Sequence, residues 1–442
     1  MIKRVLKKWI PTVWISFYHK CLSQLAAVVY GFPSQKMIII GVTGTKGKSS
    51  TSNILWKILT DAGHTVGLTG TLNYRIGHFN TLSPYKMTML GRFKLQQWLH
   101  RMVKAGCDIA IIETTSEGIK QWRHLGIAYD IVTLTNLTPE HIESHGGFEQ
   151  YKQAKQQLFW HIAHLHPKQI RGHIVPRASV VNMDAEYANE FSAIGGYQKV
   201  HIGSTKGNTL MLSDIAEELQ KTNFVVNGSP VSLPLLGSWN VLNATVAMGV
   251  GFVLGISLTD MIQSIQTVDQ IPGRMEFIDE GQPFTVIVDY AYEPRSLGLL
   301  YHFWREKLGF KHRIITLISS TGGGRDVARR RKNGYIAGSL CDMVIVTNED
   351  PYDDNPQAII DEVAVGVSEA GKIEGTNMWR ILNRREAIGR AFQFAQPGDV
   401  VLLTAKGAEL SICVAQGKKI PWDDRAVARE ELRDLENKKV IK

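Results

Sequence analysis

A glycine-rich loop between a short apolar run and a helical pattern is the feature that most constrains this chain. Met37–Val42 is apolar, the loop Gly44-Thr-Lys-Gly-Lys-Ser49 follows it, and Ser50–Ala62 has helical periodicity. In a strand–loop–helix unit of this kind, the backbone N–H groups of the loop cradle phosphates and the helix N-terminus adds a favourable field. Lys48 would reach the β- and γ-phosphates, and the Ser49 hydroxyl would bind Mg²⁺.

The loop departs from the strict Walker pattern at one position, where Val42 replaces a glycine. The core of the pattern is complete and lies in the required context, so the loop predicts an ATP site. The predicted nucleotide-binding residues of the loop are Gly44, Thr45, Lys46, Gly47, Lys48, Ser49 and Ser50.

Short apolar runs alternate with helical patterns along the rest of the chain. Ile109–Glu113 and Ile131–Leu134 are short, apolar and followed by polar turns, as buried parallel strands are. A second series of such runs begins near Phe284–Asp289 and ends at Val400–Thr404, and the Pro-Gly pair at 272–273 predicts a hinge before it. The alternation predicts an α/β protein.

Composition excludes several classes of protein. The 442 residues include 50 Lys+Arg and 41 Asp+Glu, a net charge of +9, and 44% of them are hydrophobic. No apolar run reaches the roughly 18–20 residues of a membrane-spanning helix. The basic patches lack interleaved aromatic residues, so no nucleic-acid partner is expected. The cysteines at positions 21, 107, 341 and 413 are scattered, which excludes a disulfide framework and a structural zinc site and favours a cytoplasmic chain.

Residues 1–36 form a segment that is both basic and apolar. Pro11 and His19–Lys20 interrupt the apolar pattern, so the segment is not expected to span a bilayer. It has no convincing small-residue cleavage site, which argues against a signal peptide. Two interpretations stay open: a helix pair packed on the main domain, or an amphipathic anchor at the surface of an anionic membrane.

Three further polar residues lie in segments that an open parallel sheet would bring to its ligand-binding edge. Glu113 ends the strand Ile109–Ile112, His141 follows the strand Ile131–Leu134, and Lys155 lies in the next helical segment. None of them alone specifies a site. A strand-end glutamate often caps a helix, and a single histidine or lysine is usually structural or solvated.

Together with the loop, these segments resemble the Mur ligases, most closely the MurE-type enzymes that add the third amino acid to UDP-N-acetylmuramoyl-dipeptide. The family loop TGT-x-GK-[ST] is present as Thr43–Ser49, and Thr135–Phe159 resembles the stretch TNL-x-x-[DE]H-x-x-x-HG…Y-x-x-AK-x-x-LF. The other matching motifs, in family order over about residues 38–410, are Gly237-Ser-Trp-Asn240-Val-Leu-Asn243, Pro272-Gly-Arg274-Met-Glu276, Asp289-Tyr-Ala291 and Lys406-Gly-x-Glu409.

The resemblance implies a catalytic set of Lys48, Glu113, His141 and Lys155. Lys155 matches a lysine that is carbamylated by CO₂ in the family, which turns a cation into a carboxylate-like ligand for a second Mg²⁺. Glu113 and His141 match the other ligands of that ion, while Ser49 holds the first Mg²⁺ with the nucleotide phosphates.

The resemblance also implies where the nucleotide and the substrates bind. Asn240 and Asn243 match residues that contact adenine, and Arg274 and Asp289 lie near the hinge, where the third domain closes over the nucleotide. The residues implied for the muramoyl-dipeptide are Thr88, Thr115, Gln121 and Arg123. Those implied for the incoming amino acid are Arg325, Glu349, Asp350 and Glu409.

The sequence departs from the family pattern in three places. Only about 37 residues precede the ATPase domain, fewer than the usual uridine-binding domain has. The motif DNPR reads Glu349-Asp-Pro-Tyr352, so the arginine that grips a distal carboxylate is missing, and Tyr292 and Ala408 replace two family histidines. The acidic neighbourhood of Glu349, Asp350 and Glu409 would suit an acceptor with a cationic side chain, such as lysine.

These observations predict an α/β protein in three parts: a short N-terminal segment (1–37), a P-loop ATPase domain with a parallel-type central sheet (38–276), and a Rossmann-like C-terminal domain that binds the amino acid (277–442). The predicted activity is ATP-dependent addition of a diamino acid to UDP-N-acetylmuramoyl-L-Ala-D-Glu, through an acyl phosphate, in peptidoglycan synthesis. The enzyme is expected to be a cytoplasmic monomer with peripheral membrane contact through residues 1–36.

Two other functions stay open. One is a related Mur-type ligase that acts on a folylpolyglutamate, poly-γ-glutamate or lipid-linked carboxylate. The other is a membrane adaptor that binds ATP and ligates nothing. The second-metal ligand set of Glu113, His141 and Lys155 argues against an adaptor, because a binding module has no need of it.

Overall fold

The computed structural model describes residues 12–139, 145–324 and 327–440, and the chain divides into two compact units, Met1–Asp269 and Gln270–Lys442. Within the described residues, no helix combines the length and the apolar character needed to cross a bilayer. His141, Arg325 and the first eleven residues lie outside the described residues, so what was predicted for them stays a prediction.

The N-terminal unit is built on a large, mainly parallel sheet. Its strands are β1 (Ile38–Thr43), β2 (Val66–Thr69), β3 (Asn73–Ile76), β4 (Phe79–Leu82), β5 (Ile109–Glu113), β6 (Ile131–Leu134), β7 (Gln169–Ile170), β8 (His173–Ile174), β9 (Ala178–Asn182), β10 (Gln198–Gly203), β11 (Leu210–Glu217), β12 (Thr222–Val226) and β13 (Ser229–Leu233). Eleven of these described strands form one sheet in the order β13-β12-β11-β10-β9-β6-β1-β5-β2-β3-β4, and β7 pairs with β8. The centre is parallel, and antiparallel strands extend both edges.

The helices of this unit cover the sheet and supply site residues. They are α1 (Thr12–Val29), α2 (Lys48–Asp61), α3 (Arg92–Lys104), α4 (Ser116–Lys120), α5 (Phe148–Ala163), α6 (Ala188–Ser192), α7 (Ser238–Val253) and α8 (Leu258–Gln266). Helix α5 buries Tyr151, Lys155, Leu158 and Ile162, whose spacing places them on one helical face. The lysine of that face is therefore enclosed with the apolar core.

Three neighbouring strands end at the same edge of the sheet. In the parallel register, Val42 of β1 lies opposite Glu113 of β5, and Thr43 of β1 lies opposite Leu134 of β6. The apolar sequences of these strands are buried, as expected of a sheet covered on both faces. The loops that leave the three carboxyl ends therefore meet at one place, where open α/β sheets bind their ligands.

The N-terminal segment does not form a helix pair within residues 12–36. These residues form the single α-helix α1 and a 3₁₀ turn at Pro33–Lys36. Helix α1 packs against α3, so the described part of the segment lies on the N-terminal unit as a single helix and not as the predicted pair.

The C-terminal unit is a second α/β unit with a six-stranded sheet in its described part, in the order β14-β15-β19-β16-β17-β18. Its strands are β14 (Glu276–Ile278), β15 (Thr285–Val288), β16 (Ile314–Ile318), β17 (Met343–Thr347), β18 (Met378–Ile381), β19 (Val400–Leu403), β20 (Ser411–Cys413) and β21 (Lys419–Pro421). Its helices are α9 (Pro294–Leu308), α10 (Arg329–Leu340), α11 (Pro356–Glu369), α12 (Arg384–Phe394) and α13 (Asp424–Val440). In the six-stranded sheet, β14 is antiparallel to β15 and the other neighbours pair in parallel, while β20 and β21 form a separate antiparallel pair. The two sheets with their covering helices confirm the predicted α/β fold class.

Candidate functional site

The loop between β1 and α2 needs its two glycines for steric reasons. Gly47 has a φ of +81°, and a Cβ atom there would lie 2.1 Å from Oδ1 of Asn243. A Cβ atom on Gly44 would lie 1.9 Å from Oγ1 of Thr135. Neither position can accept a side chain unless the loop moves. The chain thus forms the tight turn that a phosphate-binding loop requires.

A second loop, which follows β6, holds the phosphate loop in place. The main-chain N–H groups of Thr45 and Lys46 donate to the carbonyl and the side-chain oxygen of Asn136 over 3.0 and 2.9 Å. The Thr135 hydroxyl donates to the Lys46 carbonyl over 2.6 Å. Oγ1 of Thr45 also lies 2.9 Å from the hydroxyl of Tyr151 on α5. These contacts fix the loop before any ligand is bound.

Glu113 lies fully buried beside the start of α2, where it accepts two hydroxyl hydrogen bonds. Its Oε2 atom accepts from Ser49 over 3.1 Å and from Thr71 over 2.9 Å. Thr71 is also 2.8 Å from the hydroxyl of Thr88. A Cβ atom on Gly70 would lie 2.1 Å from Oε1 of Glu113, so the neighbouring turn leaves just enough room for the carboxylate. Hydroxyl and carboxylate oxygens are the ligands that Mg²⁺ prefers, so this set fits that ion.

Two lysines reach the same point of the phosphate loop. The Nζ atom of Lys48 donates to the Gly44 carbonyl over 3.0 Å and to the Thr45 carbonyl over 2.9 Å. The Nζ atom of Lys155, which is 1% exposed, donates to the same Gly44 carbonyl over 2.8 Å. It also lies 4.7 Å from the centre of the Tyr151 ring. The structure therefore brings the predicted residues Lys48 and Lys155 together.

The two predicted adenine-contacting residues lie in the first turns of α7 and pack against the loop. Asn243 accepts from the Thr51 hydroxyl over 3.3 Å and donates to Oδ1 of Asn240 over 3.1 Å. Asn240 donates to the Leu236 carbonyl over 2.8 Å. Both side chains are buried. Asn243 therefore lies next to the predicted phosphate site, and Asn240 lies about one helical turn before Asn243 in α7.

The predicted donor-binding residues cluster around α4. The Thr115 hydroxyl caps α4 by accepting from a main-chain N–H over 3.1 Å. The Arg123 guanidinium donates to Oε1 of Gln121 over 2.7 Å and to the Met89 carbonyl. Burial lowers the pKa of Arg123 from its usual value, and the positive charge of Arg92 lowers it further. Within the described residues, the Nε atom of Arg123 is buried and has no hydrogen-bond partner.

In the C-terminal unit, Arg274 and Asp289 lie close to Tyr290. The Arg274 guanidinium lies 4.4 Å from the centre of the Tyr290 ring. The Asp289 carboxylate accepts from the main-chain N–H groups of Met275 and Ala291, each over 2.7 Å. The motifs around residues 274 and 289, which are separate in the sequence, thus form one structural cluster.

The predicted acidic residues surround a buried lysine. The Lys406 side chain donates to Asp350 over 3.2 Å and to Glu409 over 2.6 Å. Glu349 is also buried and accepts from the Ser319 hydroxyl over 3.2 Å. Burial raises the pKa of Glu349, and the nearby ammonium of Lys406 partly offsets this increase. The cluster is therefore not a solvated acidic turn.

Tyr352, at the position of the family arginine, lies at the end of the same cluster. Its φ is +51°, and its main-chain N–H donates to the Cys413 carbonyl over 3.1 Å. Its ring lies beside Gly323, where a Cβ atom would be 3.4 Å away. The side chain thus packs against the glycine-rich turn that leads to Arg325, a residue outside the described part of the chain.

Comparison with known proteins gives two family matches along the chain. Residues 42–251 match the Mur ligase middle domain, and residues 273–407 match the Mur ligase glutamate ligase domain. The chain is 35% identical over 438 residues to a UDP-N-acetylmuramyl-tripeptide synthetase from Roseiflexus sp. (strain RS-1), an alignment that spans 96% of this chain and 84% of the relative. The chain belongs to the Mur ligase family.

Further relatives agree with this assignment. The UDP-N-acetylmuramoyl-L-alanyl-D-glutamate--2,6-diaminopimelate ligase of Bacillus cereus (strain ATCC 14579) is 32% identical over 428 residues, covering 96% of this chain and 84% of the relative. A solved structure of a ligase of the same name superposes with a TM-score of 0.61 at 25% identity, over 90% of this chain and 79% of that one. This Mur ligase is therefore an ATP-dependent enzyme that forms amide bonds.

The sequence did not predict Thr71 as part of the site. It follows β2 in the segment Thr69-Gly-Thr71, which repeats the Thr-Gly-Thr of the phosphate loop at the end of a neighbouring strand. A polar residue directly after a buried strand was the signal available, as it was for Glu113. The same structure shows that Tyr151 contacts the phosphate loop through its hydroxyl.

Proposed function

We propose that this Mur ligase adds a diamino acid, diaminopimelate or L-lysine, to UDP-N-acetylmuramoyl-L-Ala-D-Glu in peptidoglycan synthesis. The observation that carries the proposal is that Lys48 and Lys155 meet at the Gly44 carbonyl of the phosphate loop, while Ser49 at the start of α2 meets Glu113 at the end of β5. The names of the Roseiflexus and Bacillus cereus relatives support the choice of substrates.

The proposed reaction has two steps, which both need charge neutralisation. The donor carboxylate attacks the γ-phosphorus of ATP, which forms an acyl phosphate and releases ADP. The amine of the acceptor then attacks the acyl carbon, loses a proton and expels phosphate. Positioning and neutralising the transferred phosphoryl group provide most of the catalysis in such reactions. Lys48 is placed to hold the phosphate oxygens, because its Nζ already lies at the carbonyls of the loop.

Ser49 would hold the first Mg²⁺ with the nucleotide phosphates, and Glu113, His141 and the carbamate of Lys155 would hold the second. When bound, Mg²⁺ neutralises phosphate and carboxylate oxygens. The chain itself positions these ligands, because Thr71 donates to Glu113 and fixes the orientation of its carboxylate. Loss of such a supporting hydrogen bond typically costs about 10–100-fold in metal affinity or activity.

Lys155 would act as a carbamate. Its neutral amine adds to CO₂, forming an N–C bond and releasing one proton, which gives an anionic side chain. Lys155 is buried at the phosphate loop, so its carbamate would lie next to the phosphates. The anion would then stand near Lys48 in place of a second cation.

The remaining predicted residues bind the substrates in this proposal. Asn240, Asn243, Arg274 and Asp289 serve the nucleotide. Thr88, Thr115, Gln121 and Arg123 serve the donor, and the guanidinium of Arg123 would pair with a donor carboxylate.

The acceptor would bind in the C-terminal unit. Arg325 would hold its α-carboxylate, and Glu349, Asp350 and Glu409 would lie near its side-chain ammonium. Lys406 already donates to Asp350 and Glu409, so an acceptor ammonium would share these carboxylates with it.

We further infer the division into a short segment (1–37), an ATPase domain (38–276) and an amino-acid-binding domain (277–442). A cytoplasmic monomer suffices for the reaction, because one chain supplies every proposed site residue. Residues 1–36 would bring this monomer to a membrane surface.

The proposal is tested by measuring phosphate release with ATP, Mg²⁺ and UDP-N-acetylmuramoyl-L-Ala-D-Glu. Diaminopimelate, L-lysine and L-ornithine are offered separately. Turnover that depends on one of them supports the proposal and identifies the acceptor. Phosphate release that is the same without any amino acid, or with none of the three above background, would count against it.

A further inference from the structure

Helix α1 has its amphipathic character reversed relative to an ordinary surface helix. A helix on a globular protein normally buries its large apolar residues and exposes polar ones. In α1 the inward face carries Ser16, Ser23, Ala26 and Ala27, and the last three are buried. The large apolar side chains of the helix point to solvent instead.

Hydrogen bonds from the inward face fix this orientation. The Trp122 indole N–H donates to the Ser16 hydroxyl over 2.7 Å, and the Ser23 hydroxyl donates to the Trp122 carbonyl over 2.6 Å. Nε of Arg92 donates to the Ser23 hydroxyl over 3.1 Å. A Cβ atom on Gly126 would lie 2.5 Å from the Ser23 carbonyl oxygen, so the backbones touch. The helix therefore cannot rotate its apolar residues inward without losing these contacts.

The outward face of α1, here called the outer face, is apolar except for Gln24, whose side chain donates to the Leu125 carbonyl over 3.2 Å. Its apolar residues are Val13, Trp14, Phe17, Tyr18, Cys21, Leu25, Val28 and Val29, each of them exposed. At 100° per residue these eight positions fall within one arc of roughly 160°. Within the described helix, no charged residue lies inside this arc, and Lys20 lies at its border.

The positive net charge of the chain is concentrated in the part of the sequence that contains this helix. The first 60 residues contain nine lysines and arginines and no aspartate or glutamate, while residues 61–442 contain 41 of each class. The whole net charge of +9 therefore belongs to the part of the sequence that contains α1. Four of these cations, Lys3, Arg4, Lys7 and Lys8, directly precede the helix, and Lys36 follows it.

We propose that the outer face docks on an anionic phospholipid bilayer, with α1 lying in the plane of the interface. Aromatic and aliphatic side chains would enter the boundary between headgroups and acyl chains, while the flanking lysines and arginines bind anionic headgroups. A second copy of the chain is disfavoured as the occupant, because it would bring two strongly cationic regions face to face. This inference does not depend on the proposed reaction.

Cys21 offers a direct probe of the outer face, because it is exposed and the other three cysteines are buried. The purified full-length protein is labelled there with a dye whose emission shifts to the blue in apolar surroundings. Vesicles of phosphatidylcholine with 30% phosphatidylglycerol are expected to cause this shift, and pure phosphatidylcholine vesicles a much smaller one. Added salt should weaken the response, because it screens the attraction between charges. No shift with anionic vesicles would overturn the proposal.

A matched pair of variants tests which residues are responsible. W14Q/F17Q removes two aromatic rings from the outer face, and F310Q removes a 93% exposed ring from the C-terminal unit. In vesicle co-sedimentation, W14Q/F17Q should bind anionic vesicles on the order of tenfold or more weakly than the parent protein. F310Q should bind like the parent. Unfolding midpoints equal to that of the parent would show that both variants fold.

Three other outcomes contradict membrane docking by the outer face. Equal vesicle binding by W14Q/F17Q and F310Q would mean that the cations act without the outer face. A concentration-dependent dimer without lipid, absent in W14Q/F17Q, would assign the face to a second copy. If the dye on Cys21 already emits in the blue without lipid, the outer face would be covered by residues 1–11 and not by a membrane.

Discussion

Lys48 and Lys155 donate hydrogen bonds to the same main-chain carbonyl, that of Gly44, over 3.0 and 2.8 Å. Lys48 begins α2 and Lys155 lies on the buried face of α5, so two elements place their Nζ atoms at one oxygen of the phosphate loop. A carbamate on Lys155 would replace the repulsion between the two ammonium groups with an attraction between unlike charges.

Lys155→Ala should lower kcat on the order of 10²–10³-fold, because it removes one preorganised electrostatic group. Lys155→Arg is the informative control, since arginine keeps the positive charge but cannot form the carbamate. We expect both variants to be similarly impaired in steady-state ligation, with unfolding midpoints checked for each. An arginine variant close to the parent rate would show that Lys155 works as a cation.

Glu113→Gln and Thr71→Val separate a proposed Mg²⁺ ligand from the residue that orients it. Loss of the carboxylate should raise the Mg²⁺ concentration for half-maximal activity by roughly 100-fold, and loss of the Thr71 hydroxyl by about tenfold. Titration of Mg²⁺ at saturating ATP measures both values. Similar Mg²⁺ requirements for the parent protein and Glu113→Gln would remove Glu113 from the metal site.

Gly47→Ala should weaken ATP binding by about tenfold or more, because its Cβ would lie 2.1 Å from Asn243 and displace the loop. Gly63→Ala is the matched control. Gly63 also has a positive φ, +89°, but a Cβ atom there would have no heavy atom within 4 Å in the described structure. Calorimetric titration with ATP should therefore show near-normal affinity for Gly63→Ala. Equal losses in the two variants would mean that backbone strain, rather than the contact with Asn243, is responsible.

Protein stability should fall in acid because of His124. Burial lowers its pKa to about 3, with a further contribution from neighbouring His161. In the folded protein His124 therefore stays neutral at pH values where the same side chain in the unfolded protein, with an ordinary pKa near 6.5, binds a proton. Stability from this group is thus complete above that pH and falls by about 1.4 kcal/mol per pH unit between about 6.5 and 3.

The test is chemical denaturation across this pH range with His124→Phe and the exposed-site control His166→Gln. His124→Phe removes the group that must be protonated, so its unfolding free energy should depend less steeply on pH than that of the parent. His166→Gln should retain the parent slope. Parallel pH dependences for His124→Phe and the parent would contradict the assignment to His124.

The sequence predicts the parts of the site that depend on local signals. The phosphate loop, the strand ending at Glu113 and the helix carrying Lys155 are each recognisable within about 15 residues, and the structure has these elements at nearly the predicted bounds. Contacts between distant segments need the strand register. The Thr71–Glu113 hydrogen bond joins residues 42 positions apart through the pairing of β2 with β5.

The orientation of α1 could not be predicted for a related reason. An apolar, amphipathic pattern normally indicates which face is buried. Here Trp122 determines which face is buried, because its side chain and its carbonyl form hydrogen bonds with two serines on the less apolar face of the helix. These serines lie about 100 residues earlier in the chain. The periodicity of the helix sequence does not reveal such long-range polar contacts.

The most direct test of the proposed ligation is the mass of the product formed from ATP, UDP-N-acetylmuramoyl-L-Ala-D-Glu and one diamino acid. We expect a nucleotide product heavier than the donor by one diamino acid less one water. It should form in equal amount to ADP and be absent with Lys155→Ala. ATP hydrolysis without this product, for diaminopimelate and L-lysine alike, would contradict it.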